Sequence, residues 1–387
     1  MIESQAPRIL AHLREHRAEM TALLRDLTRI ESPSTVPRTQ RAVFDLLVRA
    51  AEPIGLRPRH IRGRRSGGHL YLGPARETRC GPYQLLIGHC DTVWPLGTLA
   101  RMPVTVEGDV LRGPGAFDMK GGVVQALYAL RTLRDLGLEP PVAPVAFINS
   151  DEELGSPESA RHIARLARGA DRAYVLEPAL GPEGKLKTAR KGVGHFVVRV
   201  TGQSAHAGLE PEAGASAILE LAHLIQRLHS LNDLSRGVTV NVGMVEGGVR
   251  PNVVAAESRA EVDVRVPTRE DARDVERAIR SFCAETPGTR IDIEGGMQHL
   301  PMERTARNRA LWAEARRLGT ALGLELREGF SGGASDGNTT SRYTATLDGL
   351  GAVGDGAHAP HEFVRLDRMV ERTALLALLL LLPPIRN

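Results

Sequence analysis

The stretch Tyr83-Gln84-Leu85-Leu86-Ile87-Gly88-His89-Cys90-Asp91-Thr92 decides how this chain is read. Its first six residues form a short, mostly apolar run without polar alternation. A strand made from them is covered on both faces, as in a mainly parallel sheet beneath helices. The last four residues change abruptly to polar groups just past the strand's carboxyl end. In open α/β sheets ligands bind there, so residues distant in sequence can converge in one crevice. Outward from this stretch the texture repeats. An amphipathic helix over residues 8–29 comes first, closed by the turn formers of Glu31-Ser32-Pro33-Ser34. Helical stretches over 119–137 and 157–168 then alternate with apolar runs over 141–150 and 173–178. The apolar run 374–382 is shorter than the roughly 20 residues a membrane span needs, and it reads as a buried C-terminal helix stopped by Pro383 and Pro384.

Between about residues 193 and 297 the order becomes strand, helix, strand, strand, helix, strand, the split βαβ of a ferredoxin-like domain. The helices are expected over 215–231 and 269–284. In this segment Ala260, Val262, Val264 and Val266 alternate with Glu261, Asp263 and Arg265, which predicts a sheet with one covered and one polar face. A helix near 309–322 and strands over 325–330 and 344–349 return to the first texture. The expectation is a discontinuous α/β domain, residues 1–191 and 299–387, interrupted by an inserted α+β domain over 192–298.

Composition narrows the class. The chain has 387 residues, 42% of them hydrophobic and 25% charged, ordinary for a soluble globular protein long enough for two domains. Fifty basic residues against 46 acidic ones leave a net charge of only +4, and aromatic residues are 4% of the chain. A nucleic-acid surface with basic stripes and interleaved aromatics is therefore not expected. Cys80, Cys90 and Cys283 form no CxxC pair and no even framework, which predicts free thiols and a reducing, cytoplasmic compartment. The first 20 residues contain Glu, Arg and His where an export signal needs an apolar stretch.

Five polar clusters follow strands or open helices: 88–92, 115–120, Ser150-Asp151-Glu152-Glu153, Leu176-Glu177-Pro178 and 356–360 with His358. Each has a modest reading of its own. His89 alone is a strand-end histidine, Asp118 a helix cap, and Glu152-Glu153 a solvated acidic pair at a helix start. Capping and solvation would scatter such groups over both edges of the sheet, whereas all five fall on one edge. Histidines and carboxylates converging without cysteine suit a borderline-to-hard divalent cation, with zinc, cobalt and manganese the candidates.

The motifs GHCDTVWP, GPGAFDMKGG, NSDEELGS, VLEP, TGQSAHAG and DGLGAVGDGAHAPHEF, in that order from about Ser32 to Phe363, resemble those of the M20 family of co-catalytic metallopeptidases. The glutamate carboxypeptidase branch is the nearest in pattern, with aminoacylase, acetylornithine deacetylase and succinyl-diaminopimelate desuccinylase as relatives. The resemblance implies a di-zinc exopeptidase fold with the inserted domain as a lid and dimerisation domain. It implies that His89 and Glu177 hold one metal ion, that Glu153 and His358 hold a second, and that Asp118 bridges them. Asp91 would orient the imidazole of His89, and Glu152 would be the general base and later the general acid. Two such cations roughly 3.5–4 Å apart can share a water, lower its pKa and polarise a carbonyl.

By the same resemblance His206 reaches the opposite subunit's active site and stabilises an oxyanion, which implies a homodimer joined through the lids. Asn252 and Arg265 become candidates for the substrate carboxylate, although Arg265 shares its strand face with Glu261 and Asp263 and is read equally as an ion-paired arginine. Lys185 is a further candidate contact, and Gly333 belongs to a glycine-rich loop, Gly332 to Gly337, whose N–H groups could approach a carboxylate. Only four of the 50 basic residues are lysines, Lys120, Lys185, Lys187 and Lys191. Gly349-Leu350-Gly351-Ala352-Val353-Gly354 matches a dinucleotide fingerprint in letters alone, since a turn rather than a helix is expected after it. Cys90, between His89 and Asp91, is expected to face away from the metal side.

The reading is a dinuclear metal-dependent hydrolase that releases a C-terminal amino acid, glutamate foremost, from a short peptide or N-acyl amino acid. An N-acyl-amino-acid deacylase is the alternative within the same chemistry. A catalytically inactive amino acid- or peptide-binding protein is the alternative outside it, and it requires a missing ligand or base.

Overall fold

A computed structural model describes residues 2–74 and 81–385, so Cys80 lies outside the described residues. The strand read first, Tyr83–His89, sits inside a six-stranded sheet of order Leu56–Ile61, His69–Pro74, Ala143–Asn149, Tyr83–His89, Ala170–Val175, Ala345–Leu347. The last four run parallel, and His69–Pro74 is antiparallel to both its neighbours. The sheet is thus mainly parallel, in an α/β fold. Consecutive residues of the apolar run serve different layers. Leu86, with Ala146, Ile148 and Tyr174, packs in one core with the helices Gly121–Asp135 and Leu366–Leu380. Leu85 and Ile87, with Val145, Phe147 and Ala173, pack in another with Ile163 and Ala167 of the helix Ala160–Gly169. A strand covered on both faces cannot afford polar alternation, hence the continuous apolar text.

Two strands of this sheet escaped the reading. Leu56–Ile61 is an edge strand with four exposed residues and Pro58 at its centre, a composition that an edge tolerates and a pattern search passes over. His69–Pro74 lies beside it. The helix expected over 8–29 is two helices, Ala6–Glu15 and Arg17–Thr28. His16, at φ −93° and ψ 8°, leaves the helical region, and its Nδ1 lies 2.8 Å from the carbonyl oxygen of His12, which also accepts the His16 main-chain N–H at 3.2 Å. The C-terminal helix matches expectation, with every residue from Ala374 to Leu380 buried.

The described chain gathers into two compact units: residues up to Ala189 with Arg304–Ser331 and from Ser335 onward, and Arg190–Glu303 with Gly332–Ala334. The second unit follows strand Gly192–Thr201, helix Ala217–Ser230, strands Thr239–Gly247 and Glu257–Val266, helix Arg269–Arg280 and strand Arg290–His299. Its sheet is antiparallel throughout, in the order Thr239–Gly247, Glu257–Val266, Gly192–Thr201, Arg290–His299. Ser216 and Thr268 cap its helices, their side chains accepting from the N–H groups of Leu219 and Asp271. Both helices cover one face, where Phe196, Val198, Val200, Val262 and Val264 are buried with Leu221, Leu224 and Val275. In the edge strand Thr239–Gly247 the register shifts between Val242 and Met244, and Met244 and Val245 beyond the shift are exposed.

Candidate active site and metal centre

Parallel pairing brings the carboxyl ends of the strands into line. His89 is opposite Asn149, the last residue before the Ser150–Glu153 loop, and Ile87 is opposite Val175, two residues before Glu177. One edge of the sheet therefore presents His89, Glu152, Glu153 and Glu177. Asp118 comes from the loop before the helix Gly121–Asp135, and its peptide to Met119 is cis. His358 comes from the turn after Gly354–Asp355 and has φ 60°, an uncommon left-handed conformation for a residue with a side chain.

These side chains form a chain of close approaches. His89 Nε2 is 3.3 Å from Asp118 Oδ1 and 3.6 Å from Glu177 Oε1. His358 Nε2 is 3.5 Å from Asp118 Oδ2 and 3.0 Å from Glu153 Oε2. Asp118 thus stands between the two imidazoles with one oxygen toward each. Two overlapping groups, His89 with Asp118 and Glu153 and His89 with Glu152 and Glu177, each bring three ligand atoms within 4.8 Å of one another. His89 Nε2, Asp118 Oδ1 and Glu153 Oε1 are buried and make no hydrogen bond. Buried polar atoms left unsatisfied are costly, and a divalent cation among two imidazoles and the carboxylates is what such a donor set fits.

The electrostatics show the same strain. Burial would lower the pKa of His89, but the carboxylates of Asp118, Asp91 and Glu177 outweigh it and hold the imidazolium well above its ordinary value. Burial, reinforced by the negative charge of Glu177, pushes Glu152 well up. Glu153 is pushed up to about 7, again by burial first and against its bond to His358. The bond to Glu153 in turn raises His358 to about 9. Crowded carboxylates that hold protons this firmly are what added positive charge relieves.

Residues behind the cluster hold it in place. Asp91 accepts from Ser34 Oγ at 2.7 Å and from the N–H groups of Glu152 and Glu153 at 3.3 and 3.2 Å. Its role toward His89 differs in detail from the expectation. His89 Nδ1 lies nearest the main-chain oxygen of Asp91, at 3.0 Å, with the carboxylate 3.5 Å away. Glu362, which the sequence reading missed, ties two loops together. Its carboxylate accepts from the N–H groups of Gly115, Phe117 and Asp118 at 2.9, 2.9 and 3.1 Å and from Trp94 Nε1 at 2.9 Å. Gly356 lets the His358 turn pass close to Glu362, since a Cβ there would stand 2.8 Å from the Glu362 backbone. Asp336, buried and also missed, accepts from Asn149 Nδ2 at 2.7 Å and Ser156 Oγ at 2.6 Å and so brackets the loop that carries Glu152 and Glu153. A lone glutamate four residues past a histidine carries no signal in one sequence; its hydrogen bonds exist only after folding.

The other expected residues have local surroundings of their own. Lys185 is paired with Glu183 at 3.2 Å. His206, Asn252, Arg265 and Gly333 belong to the second unit. The Arg265 fork is engaged by Asp263 through two hydrogen bonds of 2.8 and 2.9 Å. His206 and Asn252 are exposed, and the carbonyl of Gly333 accepts from Arg190 at 3.1 Å. From Ser335 the loop becomes a capped, buried helix, Asp336–Thr340, rather than free glycine-rich backbone. Cys90 is buried in the core and burial pushes its thiol well up, whereas Cys283 is exposed. No helix follows Gly354, only the short strand Gly354–Asp355.

Residues 85–382 match the family described as Peptidase family M20/M25/M40, and the chain belongs to that family. It is a metal-dependent hydrolase acting on peptide bonds. It is 29% identical to Carboxypeptidase G2 of Pseudomonas sp. (strain RS-16) over 323 residues, 78% of this chain and 74% of that one. It is 32% identical to the probable carboxypeptidase AN5749 of Emericella nidulans over 310 residues, 71% of this chain and 70% of the relative. Among solved structures, aminopeptidase PepT of Bacillus cereus superposes with a TM-score of 0.76 at 19% identity, covering 94% of this chain and 98% of its own. The M20 family metallo-carboxypeptidase Sso-CP2 of Sulfolobus solfataricus superposes with a TM-score of 0.73 at 17% identity, covering 95% and 99%. Among the described residues no helix is long and apolar enough to cross a membrane.

Proposed function

We propose that this chain is a dinuclear metallo-carboxypeptidase that releases a C-terminal amino acid, glutamate foremost, from a short peptide or N-acyl amino acid. The observation that carries this reading is the placement of Asp118, one carboxylate oxygen toward His89 and the other toward His358. On this reading His89 and Glu177 hold one cation, Glu153 and His358 hold the other, and Asp118 spans both. Zinc suits the donor set best, with cobalt or manganese as substitutes. When bound, the cations polarise the scissile carbonyl and make water acidic enough to deprotonate near neutral pH.

The protein's own groups do the rest. Glu152 takes the proton of the attacking water and returns it to the leaving amine. Its burial beside Glu177 raises its proton affinity, which fits a group that must both accept and donate. Asp91 keeps the Glu152–Glu153 backbone and the His89 ring in register through its hydrogen bonds. The resemblance to glutamate carboxypeptidases, with Carboxypeptidase G2 among the relatives, supports an amino acid with a free carboxylate on the leaving side. Asn252, Arg265, Lys185 and the Gly333 backbone are the groups proposed to receive it.

His206 is proposed to donate to the oxyanion from a second copy of the chain. Its Nδ1 faces the N–H groups of Gly208 and Leu209 at 3.2 Å, so the ring proton belongs on Nε2. The exposed Met244, Val245 and Val249 at the sheet edge, with Ile218 and Leu219, offer the apolar surface for a homodimer through this domain. A cytoplasmic location completes the reading, consistent with the buried, unpaired thiol of Cys90.

The test is a panel of N-acetyl, N-succinyl, N-benzoyl and dipeptide substrates, with the released amino acids identified and Glu152→Gln run in parallel. Glutamate should lead among the products. Glu152→Gln should keep its metal and lose about 10²–10⁴-fold in kcat. Full turnover in that variant excludes Glu152 as the base, and hydrolysis confined to N-acetyl substrates favours the deacylase.

A further inference from the structure

The N-terminal helices carry a second cluster of ligating side chains that the catalytic reading does not use. His12 lies in Ala6–Glu15, His16 at the break before Arg17–Thr28, and Asp135 is the last residue of Gly121–Asp135. The two imidazoles, four residues apart, are stacked with ring centroids 4.2 Å apart and planes 25° apart. His12 Nδ1 lies 3.2 Å from Thr132 Oγ1, and its Nε2 lies 3.5 Å from Asp135 Oδ2. His16 Nδ1 faces the His12 carbonyl at 2.8 Å. A carbonyl only accepts, so Nδ1 carries the proton and the lone pair of His16 is on Nε2. One ligand atom from each of the three residues lies within 4.8 Å of the others. We propose that His12, His16 and Asp135 form a separate site for a borderline divalent transition-metal cation of the zinc, nickel or copper class, which cross-links the N-terminal helices to the helix Gly121–Asp135.

The chemistry fits that class. Two imidazole nitrogens and one carboxylate oxygen suit borderline cations, with water free to complete the coordination. Ligand atoms of a tetrahedral site at bond lengths of about 2.0–2.2 Å stand roughly 3.3–3.5 Å apart. The spacing of His12 and Asp135 is already in that range, and the ligand atom of His16 lies within 4.8 Å of both. The three side chains are 13%, 21% and 34% exposed, so an ion enters from solvent without disturbing the core. Asp135, Glu15 and Glu19 lie around the cluster with the guanidinium of Arg131, which is bound to Glu19 at 2.6 Å and lies 3.5 Å from Asp135, while Arg8 reaches the neighbouring main-chain oxygen of Leu136.

Zinc is the probe. Chelator-stripped full-length protein, His16→Ala and Asp135→Asn are dialysed against graded Zn²⁺, and bound metal is counted per chain. Each variant should bind one ion at least tenfold more weakly than the parent, with unchanged hydrolysis once the catalytic cluster is loaded. The histidine's role in ending a helix would not alter that count. Asp118→Asn, which breaks the catalytic cluster, should retain one zinc ion that disappears when His16→Ala is added. Failure of the dinuclear reading therefore shows separately. Superimposable binding curves for the parent and both variants, or loss of all zinc in Asp118→Asn alone, overturn the site.

Discussion

The two units solve the same packing problem in opposite ways. In the six-stranded sheet, neighbouring residues Leu85 and Leu86 are both buried, each in a different core. In the antiparallel sheet of the second unit, Phe196 is buried while Arg199 on the other face is exposed. A sheet covered on both faces can place chemistry only at its ends, where the strands give way to loops. A sheet covered on one face keeps a row of polar side chains along its length, such as Glu261, Asp263 and Arg265, which pair with near neighbours. The first arrangement concentrates charge in a buried crevice and the second spreads it in solvent. Glu152, pushed well up, and Glu153, pushed up to about 7, lie at the ends of the parallel strands.

That contrast can be broken, most strongly at the crevice. Asp118→Asn removes the carboxylate that faces both imidazoles and should abolish metal-dependent turnover, as should stripping the protein with a chelator. Elemental analysis and an activity assay with metal added back decide this, and persistent hydrolysis in stripped protein would mean the crevice is not the reaction centre. One step outward, Glu362→Ala leaves the N–H groups of Gly115, Phe117 and Asp118 without their acceptor. Loss of a group that orients ligands typically costs 10–100-fold in activity or metal affinity. The expected result is a drop of about that size in kcat with partial recovery in Glu362→Gln; a variant indistinguishable from the parent would separate the clamp from the site.

Packing gives the next test. Leu85→Ala and Leu86→Ala should each destabilise the first unit by about 2–5 kcal/mol, because both residues lie in cores. In the second unit Phe196→Ala should cost about 3–5 kcal/mol and Arg199→Ala about 0.5 kcal/mol or less. Denaturant unfolding followed by probes in each unit reads all four, and equal costs for Phe196 and Arg199 would contradict a one-sided sheet.

The smallest effect concerns a loop. Burial works against ionisation of Glu158, but hydrogen bonds from Ser66 Oγ and from the N–H groups of Ser66, Arg65 and Arg64 outweigh it and hold its pKa at about 2. Because this value lies below the ordinary 4.5, the stabilisation is complete above that pH and is lost as pH falls through about 2. Glu158→Gln should therefore raise amide exchange at Arg64, Arg65 and Ser66 at pH 6 and flatten its dependence on pH. Unchanged protection in the variant would assign those amides another anchor.

Much of this was legible in the order of the residues. The apolar run of residues 83–88 announces a doubly covered strand, and the alternation of residues 260–266 announces a singly covered one. Both are local consequences of which faces meet water. The edge strand Leu56–Ile61 was not legible, because Arg57, Pro58 and Arg59 leave no period to read. The break at His16 was also hidden, since the apolar spacing runs through it.

Chain order alone determined the fold class, the family and the set of polar clusters, because periodicity and motif spacing are properties of neighbours along the backbone. Tertiary structure decided which atoms meet: that Asp118 faces two histidines at once, that the main chain of Asp91 is nearest His89, and that Glu362 holds the loop from residue 115 to 118. Those facts depend on strand register and loop closure between residues as many as 247 positions apart, distances over which the linear pattern carries no phase.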